Sequence, residues 1–248
     1  MRNLKLTIAY DGTDFVGWQI QPEAATVQGT LSLAIGRITG ENVLPQGSGR
    51  TDAGVHALAQ VATFQTASAI PTGNFVIALN DILPTSIRVL AAKEVAPDFH
   101  SRKSAQAKTY RYRIYREAIC PPFLSRYVWH YPYPLDEPAL RETAPLVEGE
   151  HDFTSFAAVD PERGREGISN VRRIFSSQWR RESCELIYEV RGNGFLHHMV
   201  RNLVGTFLLV GKATLMPADV TRILEAKDRS AAGATAPASG LYLVNVEY

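Results

Sequence analysis

The sequence GSGRTDAGVHALAQVATF, at residues 47–64, is a loop of small residues that leads into an apolar strand. A dinucleotide-binding loop of the pattern GxGxxG would need a glycine at position 52, where Asp52 stands. Gly49 and Gly54 have the spacing of a phosphate-binding P-loop, but valine and histidine follow where lysine and Ser or Thr are needed. The loop therefore fits neither kind of nucleotide-binding site.

Seven segments are typical of β-strands, because they are short, rich in Val, Ile, Tyr and Phe, and bounded by turn residues. They are residues 4–10, 57–65, 87–95, 109–116, 171–179, 185–191 and 241–248. Helical periodicity predicts helices over residues 26–38, 72–83, 136–147, 195–212 and 217–226. Thr72 and Asp136 are the predicted helix caps, and the alanine-rich stretch at 230–239 is typical of a surface loop.

A strand–helix–strand–helix–strand series ends near Val95, and a comparable series begins near Lys108. This order predicts the α+β class, with two ferredoxin-like (RRM-like) split βαβ domains. We place the first domain at residues 1–103 and the second at residues 104–248. We also expect their antiparallel sheets to join edge to edge into one continuous sheet.

The composition is that of an ordinary globular protein of 248 residues, with 26 Lys+Arg against 25 Asp+Glu and a net charge of +1. Only Cys120 and Cys184 are cysteines, which excludes a disulfide framework and a cysteine-rich metal site. Lys5 and Asp11 interrupt the apolar segment that a signal peptide needs, and no apolar run is long enough to span a membrane. We therefore expect a cytoplasmic protein.

Residues 101–116 combine six basic side chains with no acidic one, and three tyrosines alternate with them. The tyrosines are Tyr110, Tyr112 and Tyr115, and the basic residues are Arg102, Lys103, Lys108, Arg111, Arg113 and Arg116. A second basic zone, at residues 163–181, is diluted by Glu162, Glu166 and Glu182 within it or at its ends. Most runs of charge are only solvated faces, but aromatic side chains among cations favour a nucleic-acid partner, since bases stack and phosphates bind there.

The loop at residues 47–56 places the carboxylate of Asp52 two residues from the guanidinium of Arg50. The arginine can keep the carboxylate ionised at neutral pH or hold a phosphate. The alternative interpretation is a local turn in which Asp52 only caps backbone amides, which is common for Asp among glycines.

Arg201 lies in a predicted helix that is apolar on nearly every side. A buried guanidinium without a partner is very costly, so we expect it to meet a carboxylate or a substrate phosphate. On a helix, His197 would share a face with Arg201 and His198 would share one with Asn202. Adjacent helical residues point apart and no third ligand accompanies the histidines, so core histidines are the stronger interpretation and a metal site the weaker.

The chain resembles the tRNA pseudouridine synthase A family nearly from end to end. Five motifs carry the resemblance in order: YDGTDFVGWQIQP at residues 10–22, TVQGTL at 26–31, GSGRTDAGVHALAQVATF at 47–64, FHSRKSAQAKTYRYRI at 99–114 and GNGFLHHMVRNLVG at 192–205. Of these, GRTDAGVHA is the most specific. No motif position carries a substitution that would suggest a lost activity.

The resemblance implies the pseudouridine synthase fold and an isomerase that converts uridine to pseudouridine at positions 38, 39 and 40 of tRNA, in the anticodon stem-loop. It further implies a homodimer that needs no cofactor and no metal. By the same resemblance, Asp52 is the catalytic aspartate, and Tyr110 stacks on the target base. Arg201 pairs with the aspartate, and Arg50 lies near the displaced nucleotide.

The chemistry of this reaction is consistent with the residues. One carboxylate can attack C1′ or C6, or remove the C2′ proton, and the sequence is compatible with all three routes. A non-catalytic RNA-binding module and a base-releasing hydrolase are the alternatives, although the hydrolase usually needs two carboxylates. Asp11 and Asp14 are the nearby candidates for the second one. Whether Asp11, His56, His197 and Asn202 act directly or hold the pocket stays open at this stage.

Overall fold

The computed structural model describes residues 1–159 and 169–248. Residues 163–168 of the second basic zone lie outside the described residues. The chain divides into two compact units, of which the first contains Met1–Gln106 and Tyr242–Tyr248 and the second Ala107–Leu241. The end of the chain thus belongs to the first unit, whereas the predicted second domain contains all of residues 104–248. None of the helices in the described ranges is both long and apolar enough to cross a membrane.

The described part of the chain contains ten strands and five α-helices. In chain order they are β1 (Arg2–Tyr10), α1 (Val27–Thr39), β2 (Gln46–Gly47), β3 (His56–Thr66), α2 (Thr72–Ile82), β4 (Ile87–Val95), β5 (Ala107–Tyr115), β6 (Trp129–His130), α3 (Glu137–Thr143), β7 (Gly149–Asp152), β8 (Val171–Glu182), β9 (Glu185–Gly192), α4 (Met199–Gly211), α5 (Pro217–Ala226) and β10 (Leu241–Glu247).

The first unit is built on a sheet in the order β4-β1-β3-β10, with the short β2 paired to β3. Strand β1 is antiparallel to both β3 and β4, and β10 is parallel to β3 with Tyr242 opposite His56. Alternate residues of β1 are buried because a strand presents successive side chains to opposite faces. Leu4, Leu6 and Ile8 form the centre of this unit's apolar core.

The second unit is built on a sheet in the order β5-β9-β8-β7, and β6 pairs with β5. The pairs β5–β9, β8–β9 and β7–β8 are all antiparallel. Helix α4 is the most apolar element, and most of its residues are buried, including Leu203, Val204 and Phe207. Trp179 and Tyr188 of the sheet pack on Phe207 with their rings 6.4 Å and 5.4 Å away.

The predicted α+β class with mainly antiparallel strands is confirmed, and each of the seven predicted strands and five predicted helices has a counterpart. Three strands were missed, because β2, β6 and β7 have only 2, 2 and 4 residues and are too short to show an alternating pattern. Asp136 is confirmed as a helix cap, since its carboxylate accepts a hydrogen bond from the backbone of Ala139 at 2.9 Å. The predicted cap at Thr72 is wrong, because the helix begins at that residue and Pro71 precedes it.

Two predicted helices differ from the observed ones by more than one residue at an end. The helix predicted over residues 136–147 ends at Thr143 and continues as a 3₁₀ turn over Ala144–Val147. The helix predicted from Phe195 begins only at Met199, because His198 adopts a left-handed backbone conformation with φ 58°. The second difference changes the geometry of the candidate site.

Candidate active site

The loop that carries Asp52 connects β2 to β3 in the first unit. Asp52 is half-buried and Arg50 is exposed, whereas Thr51 between them is buried. The backbone of Thr51 accepts a hydrogen bond from the Trp18 amide at 3.0 Å, and the Gly54 amide donates to the Phe15 carbonyl at 3.2 Å. The loop is therefore attached to the segment after β1 on both sides of Asp52.

Buried polar side chains of β1 and β3 form hydrogen bonds to the same loop. The hydroxyls of Tyr10 and Thr51 are 2.7 Å apart. The amide of Gln60 donates to the Gly49 carbonyl at 2.9 Å and its oxygen accepts from the Ser48 hydroxyl at 2.6 Å. Burial raises the pKa of Tyr10 to about 12, although its hydrogen bonds act in the opposite direction. The phenol is therefore neutral at physiological pH and can act as a hydrogen-bond donor or acceptor.

His56, the first residue of β3 after this loop, contacts Asp11. The Nδ1 atom of buried His56 is 3.2 Å from the Asp11 carboxylate and 3.1 Å from the backbone amide of Gly12. The imidazole stacks on the ring of Tyr242 with centroids 4.8 Å apart. The Asp11 carboxylate also accepts hydrogen bonds from the amide and the hydroxyl of Thr13. These contacts give both residues a role in holding the first unit together around the loop.

In the second unit, Tyr110 and Arg201 lie on different elements. Tyr110, on β5, is 7% exposed and makes an edge-to-face contact with Phe195 at 4.9 Å. Arg201 is in the first turn of α4, and its Nε atom donates to the Ala236 carbonyl at 2.7 Å. The Ala236 amide donates back to the Arg201 carbonyl at 3.2 Å. Arg201 is half-buried rather than enclosed, because it lies near the start of the helix and not in its apolar middle.

The two histidines precede α4, so the predicted helical i, i+4 relation of His197 with Arg201 is wrong. Both histidines lie in a turn. Their ring centroids are only 4.0 Å apart, whereas adjacent residues of a helix point apart. The Nδ1 atom of His197 is 3.3 Å from the Val159 carbonyl. The left-handed conformation of His198 is the reason that the rings share one side of the chain.

Asn202, next to Arg201, is fully buried and joins three parts of the second unit. Its amide donates to the Phe156 carbonyl at 2.8 Å. Its oxygen accepts from the Thr235 hydroxyl at 2.7 Å and from the Arg229 guanidinium at 3.0 Å. The residue therefore holds the segment at 229–237 against α4, which agrees with a supporting role.

Two of the three basic residues on β5 form ion pairs with glutamates within the second unit. Arg111 makes two hydrogen bonds to Glu189, at 3.0 Å and 3.1 Å. Arg113 makes two to Glu185, at 2.6 Å and 2.7 Å. Tyr112 is fully buried and is therefore unavailable for stacking; burial also raises its pKa, and its hydroxyl donates to the Pro237 carbonyl at 2.7 Å. Antiparallel pairing of β5 with β9 places Glu189 directly opposite Arg111, and Glu185 lies two residues along β9 from Ile187, the partner of Arg113.

Comparison with known proteins identifies the family. The profile described as tRNA pseudouridine synthase matches residues 6–103 and 144–248. The chain belongs to the tRNA pseudouridine synthase family. It is 52% identical to tRNA pseudouridine synthase A of Solibacter usitatus over 248 residues, covering 100% of both chains. It is 49% identical to the tRNA pseudouridine synthase A of Caldicellulosiruptor saccharolyticus and 46% identical to that of Moorella thermoacetica, over 100% and 99% of each chain.

The family resemblance expected from the motifs is thus confirmed, and the chain is an isomerase that converts uridine to pseudouridine in tRNA. Sequence reasoning missed two residues that hold the Asp52 loop, Tyr10 and Gln60. Tyr10 stands inside the motif YDGTDFVGW, and Gln60 is a polar residue in the otherwise apolar run ALAQVATF. Those two irregularities are the signals that could have drawn attention to them.

Proposed function

We propose that this pseudouridine synthase modifies uridines 38, 39 and 40 in the anticodon stem-loop of tRNA, and that it works as a homodimer in the cytoplasm. The proposal rests on the resemblance of the five motifs, and full-length relatives named tRNA pseudouridine synthase A support it. A stem uridine must first leave its stack, which costs a few kcal/mol. Binding contacts to the displaced base and the backbone then offset this cost.

Asp52 is the proposed catalytic carboxylate. The observation that carries this assignment is the contrast within the loop, where buried Ser48 and Thr51 are fixed while Asp52 remains half-buried. A carboxylate on a fixed backbone keeps one orientation toward a bound nucleoside, and positioned groups of this kind account for much of enzymatic rate enhancement. Attack at C1′ or C6 and removal of the C2′ proton all need such a placement.

Three further residues complete the proposed site. Tyr110 stacks on the target base, and its contact with Phe195 supports this role by fixing the plane of its ring. Arg201 pairs with Asp52 in the reacting complex, and the bond of its Nε atom to the Ala236 carbonyl supports this role by fixing one edge of the guanidinium. Arg50 contacts the displaced nucleotide, in agreement with its exposure. Exclusion of water from this site protects the intermediate with a cleaved glycosidic bond from capture by water.

The test is incubation of one unmodified tRNA transcript with wild type or Asp52→Asn, followed by carbodiimide treatment and reverse-transcription mapping. Wild type is expected to form pseudouridine at positions 38–40 wherever uridine stands there. Asp52→Asn is expected to form none, while its Kd for tRNA stays within about twofold of wild type. The matched control is Asp81→Asn, an exposed residue of α2 that should leave turnover unchanged.

Three outcomes would contradict the proposal. Turnover by Asp52→Asn at the wild-type rate would remove Asp52 from the catalytic role, and pseudouridine at other positions would refute the proposed target. Release of free uracil would instead indicate the base-releasing hydrolase.

A further inference from the structure

The segment Tyr10–Trp18 carries the motif YDGTDFVGW, to which the proposed reaction assigns no role. Both ends of this segment contact Thr51, the residue before Asp52. The Tyr10 hydroxyl lies 2.7 Å from the Thr51 hydroxyl, and the Trp18 amide donates to the Thr51 carbonyl at 3.0 Å. One residue is thereby held through its side chain and its backbone.

The segment also approaches the Asp52 backbone too closely for most side chains. Gly17 has a φ of 80°, in the left-handed region, and a Cβ there would be 2.7 Å from the Thr51 carbonyl oxygen and 3.2 Å from the Asp52 carbonyl carbon. Glycine permits both the conformation and the approach. The segment therefore packs directly on the backbone that carries the proposed catalytic carboxylate.

The other arm of the loop is held by Gln60, whose amide bonds the Gly49 carbonyl and the Ser48 hydroxyl. The side chains of Tyr10, Gln60 and Thr51 are all buried. A buried polar network is an expensive way to stabilise a core, because well-packed apolar residues of similar size are often as good or better. Hydrogen bonds are directional, and here they fix the orientation of Gly49 and Thr51, the two residues that flank Arg50.

We propose that the hydrogen bond between Tyr10 and Thr51 positions Asp52 for reaction, so that Tyr10 is a positioning residue of this enzyme. The inference rests on the proposed role of Asp52. The bond fixes the Thr51 side chain and, with the Trp18 amide, the peptide that leads into Asp52. The pKa of about 12 keeps Tyr10 in its neutral, hydrogen-bonding form throughout the pH range of the assay. Without the bond the loop can shift, and a displacement of 1 Å at a reacting group costs about 100-fold in rate.

The test uses single-turnover rates and tRNA affinities of Tyr10→Phe, Thr51→Val and the double variant. Each single variant removes one hydroxyl from the pair and keeps the shape of the side chain. We expect each to lower the single-turnover rate by about 10- to 100-fold, with the Kd for tRNA within about twofold of wild type. The double variant should be no slower than the slower single one, because both changes remove the same bond. Thr51→Ser, which keeps the hydroxyl, should restore most of the rate.

Tyr188→Phe is the matched control, since Tyr188 is fully buried in the second unit and its hydroxyl lies 2.8 Å from the Ser177 hydroxyl. It loses the same kind of bond in the unit that does not carry the Asp52 loop. The Tm of Tyr188→Phe and the Tm of Tyr10→Phe should therefore be lowered by similar amounts, while only Tyr10→Phe should have a lower single-turnover rate. If Tyr10 had only a structural role, Tyr10→Phe and Tyr188→Phe would behave alike in both Tm and single-turnover rate.

Three results would overturn the inference. One is a Tyr10→Phe rate within twofold of wild type, and another is a double variant whose loss is the product of the single losses. If Asp52→Asn is inactive in either case, the proposed function stands and only the positioning role fails. The third result is full activity of Asp52→Asn itself, which removes the proposed function and the inference together.

Discussion

Two irregular segments rich in small residues hold the proposed site residues, and they do so by different means. The loop at residues 48–55, in the first unit, carries Asp52, and the segment at residues 232–237, in the second unit, bonds to Arg201. Buried side chains from β1 and β3 fix the first segment, through the hydroxyl of Tyr10 and the amide of Gln60. The second segment is fixed largely by direct contact with the backbone of α4.

The close backbone contact is made at Gly205 of α4. A Cβ at this position would lie 1.8 Å from the Ala234 carbonyl oxygen, so no larger residue fits without movement. One turn earlier in the helix, Arg201 and Ala236 form two hydrogen bonds, one from the Arg201 side chain to the Ala236 carbonyl and one from the Ala236 amide to the Arg201 carbonyl. The difference implies that single hydrogen bonds can be removed from the Asp52 loop at small cost in stability, whereas the second segment must fit closely or be displaced.

The sharpest test of this comparison is Gly205→Ala, which should destabilise the protein more than any change in the Tyr10 network. The added methyl group must push the 232–237 segment away from the helix, and overpacking of this severity costs about 3 kcal/mol or more in free energy of unfolding. In a chain of this size that corresponds to a Tm lowered by about 6 °C or more. Thermal unfolding monitored by circular dichroism measures it.

The matched control for Gly205→Ala is Gly73→Ala, also in a helix but with nothing within 4 Å of the added Cβ. This change should be neutral or raise the stability slightly, by up to about 1 kcal/mol, because alanine favours helix more than glycine does. Equal Tm values for the two variants would show that backbone contact does not hold the second segment.

Asn202→Ala should have the next largest effect, since it removes the side chain that joins the second segment to α4. The Phe156 carbonyl loses a buried partner, as do the Thr235 hydroxyl and the Arg229 guanidinium. Groups left unsatisfied in this way cost about 2–3 kcal/mol in free energy of unfolding. Urea denaturation measures the loss, with the exposed Asn245→Ala as the control that should change stability by less than about 0.5 kcal/mol. A similar stability for both variants would contradict the assigned role of Asn202.

The sequence predicts the elements of both units well, because their signals are local. Strand β4 and helix α5 have the predicted bounds, since clear turn residues or a proline delimit them. The helix that contains Arg201 was predicted to begin four residues too early, because residues 195–198 (FLHH) continue the pattern of the helix. That pattern does not predict the left-handed backbone conformation of His198, because of which the helix begins only at Met199.

Contacts between distant residues could not be predicted in the same way. Tyr10 and Thr51 are 41 positions apart, and the bond between them depends on how β1 pairs with β3. The alanine-rich stretch at 230–239 looks like a surface loop by composition, yet Gly233 and Ala236 are buried against α4. Small apolar residues are equally suited to an exposed loop and to a close backbone approach, so composition alone does not separate the two cases.

The smallest effect is expected for Arg111→Gln, which tests whether a basic strand implies a phosphate-binding surface. Arg111 and Glu189 are both partly exposed, at 32% and 25%, and a pair of this kind contributes less than about 1 kcal/mol to stability. Because Glu189 already neutralises the guanidinium, the Kd for tRNA should change by less than about twofold. Arg102→Gln removes an exposed cation of the same basic stretch and should weaken binding more, with a smaller dependence of Kd on salt. A larger loss of affinity in Arg111→Gln than in Arg102→Gln would mean that tRNA competes with Glu189 for Arg111, and that this strand binds phosphate despite its ion pairs.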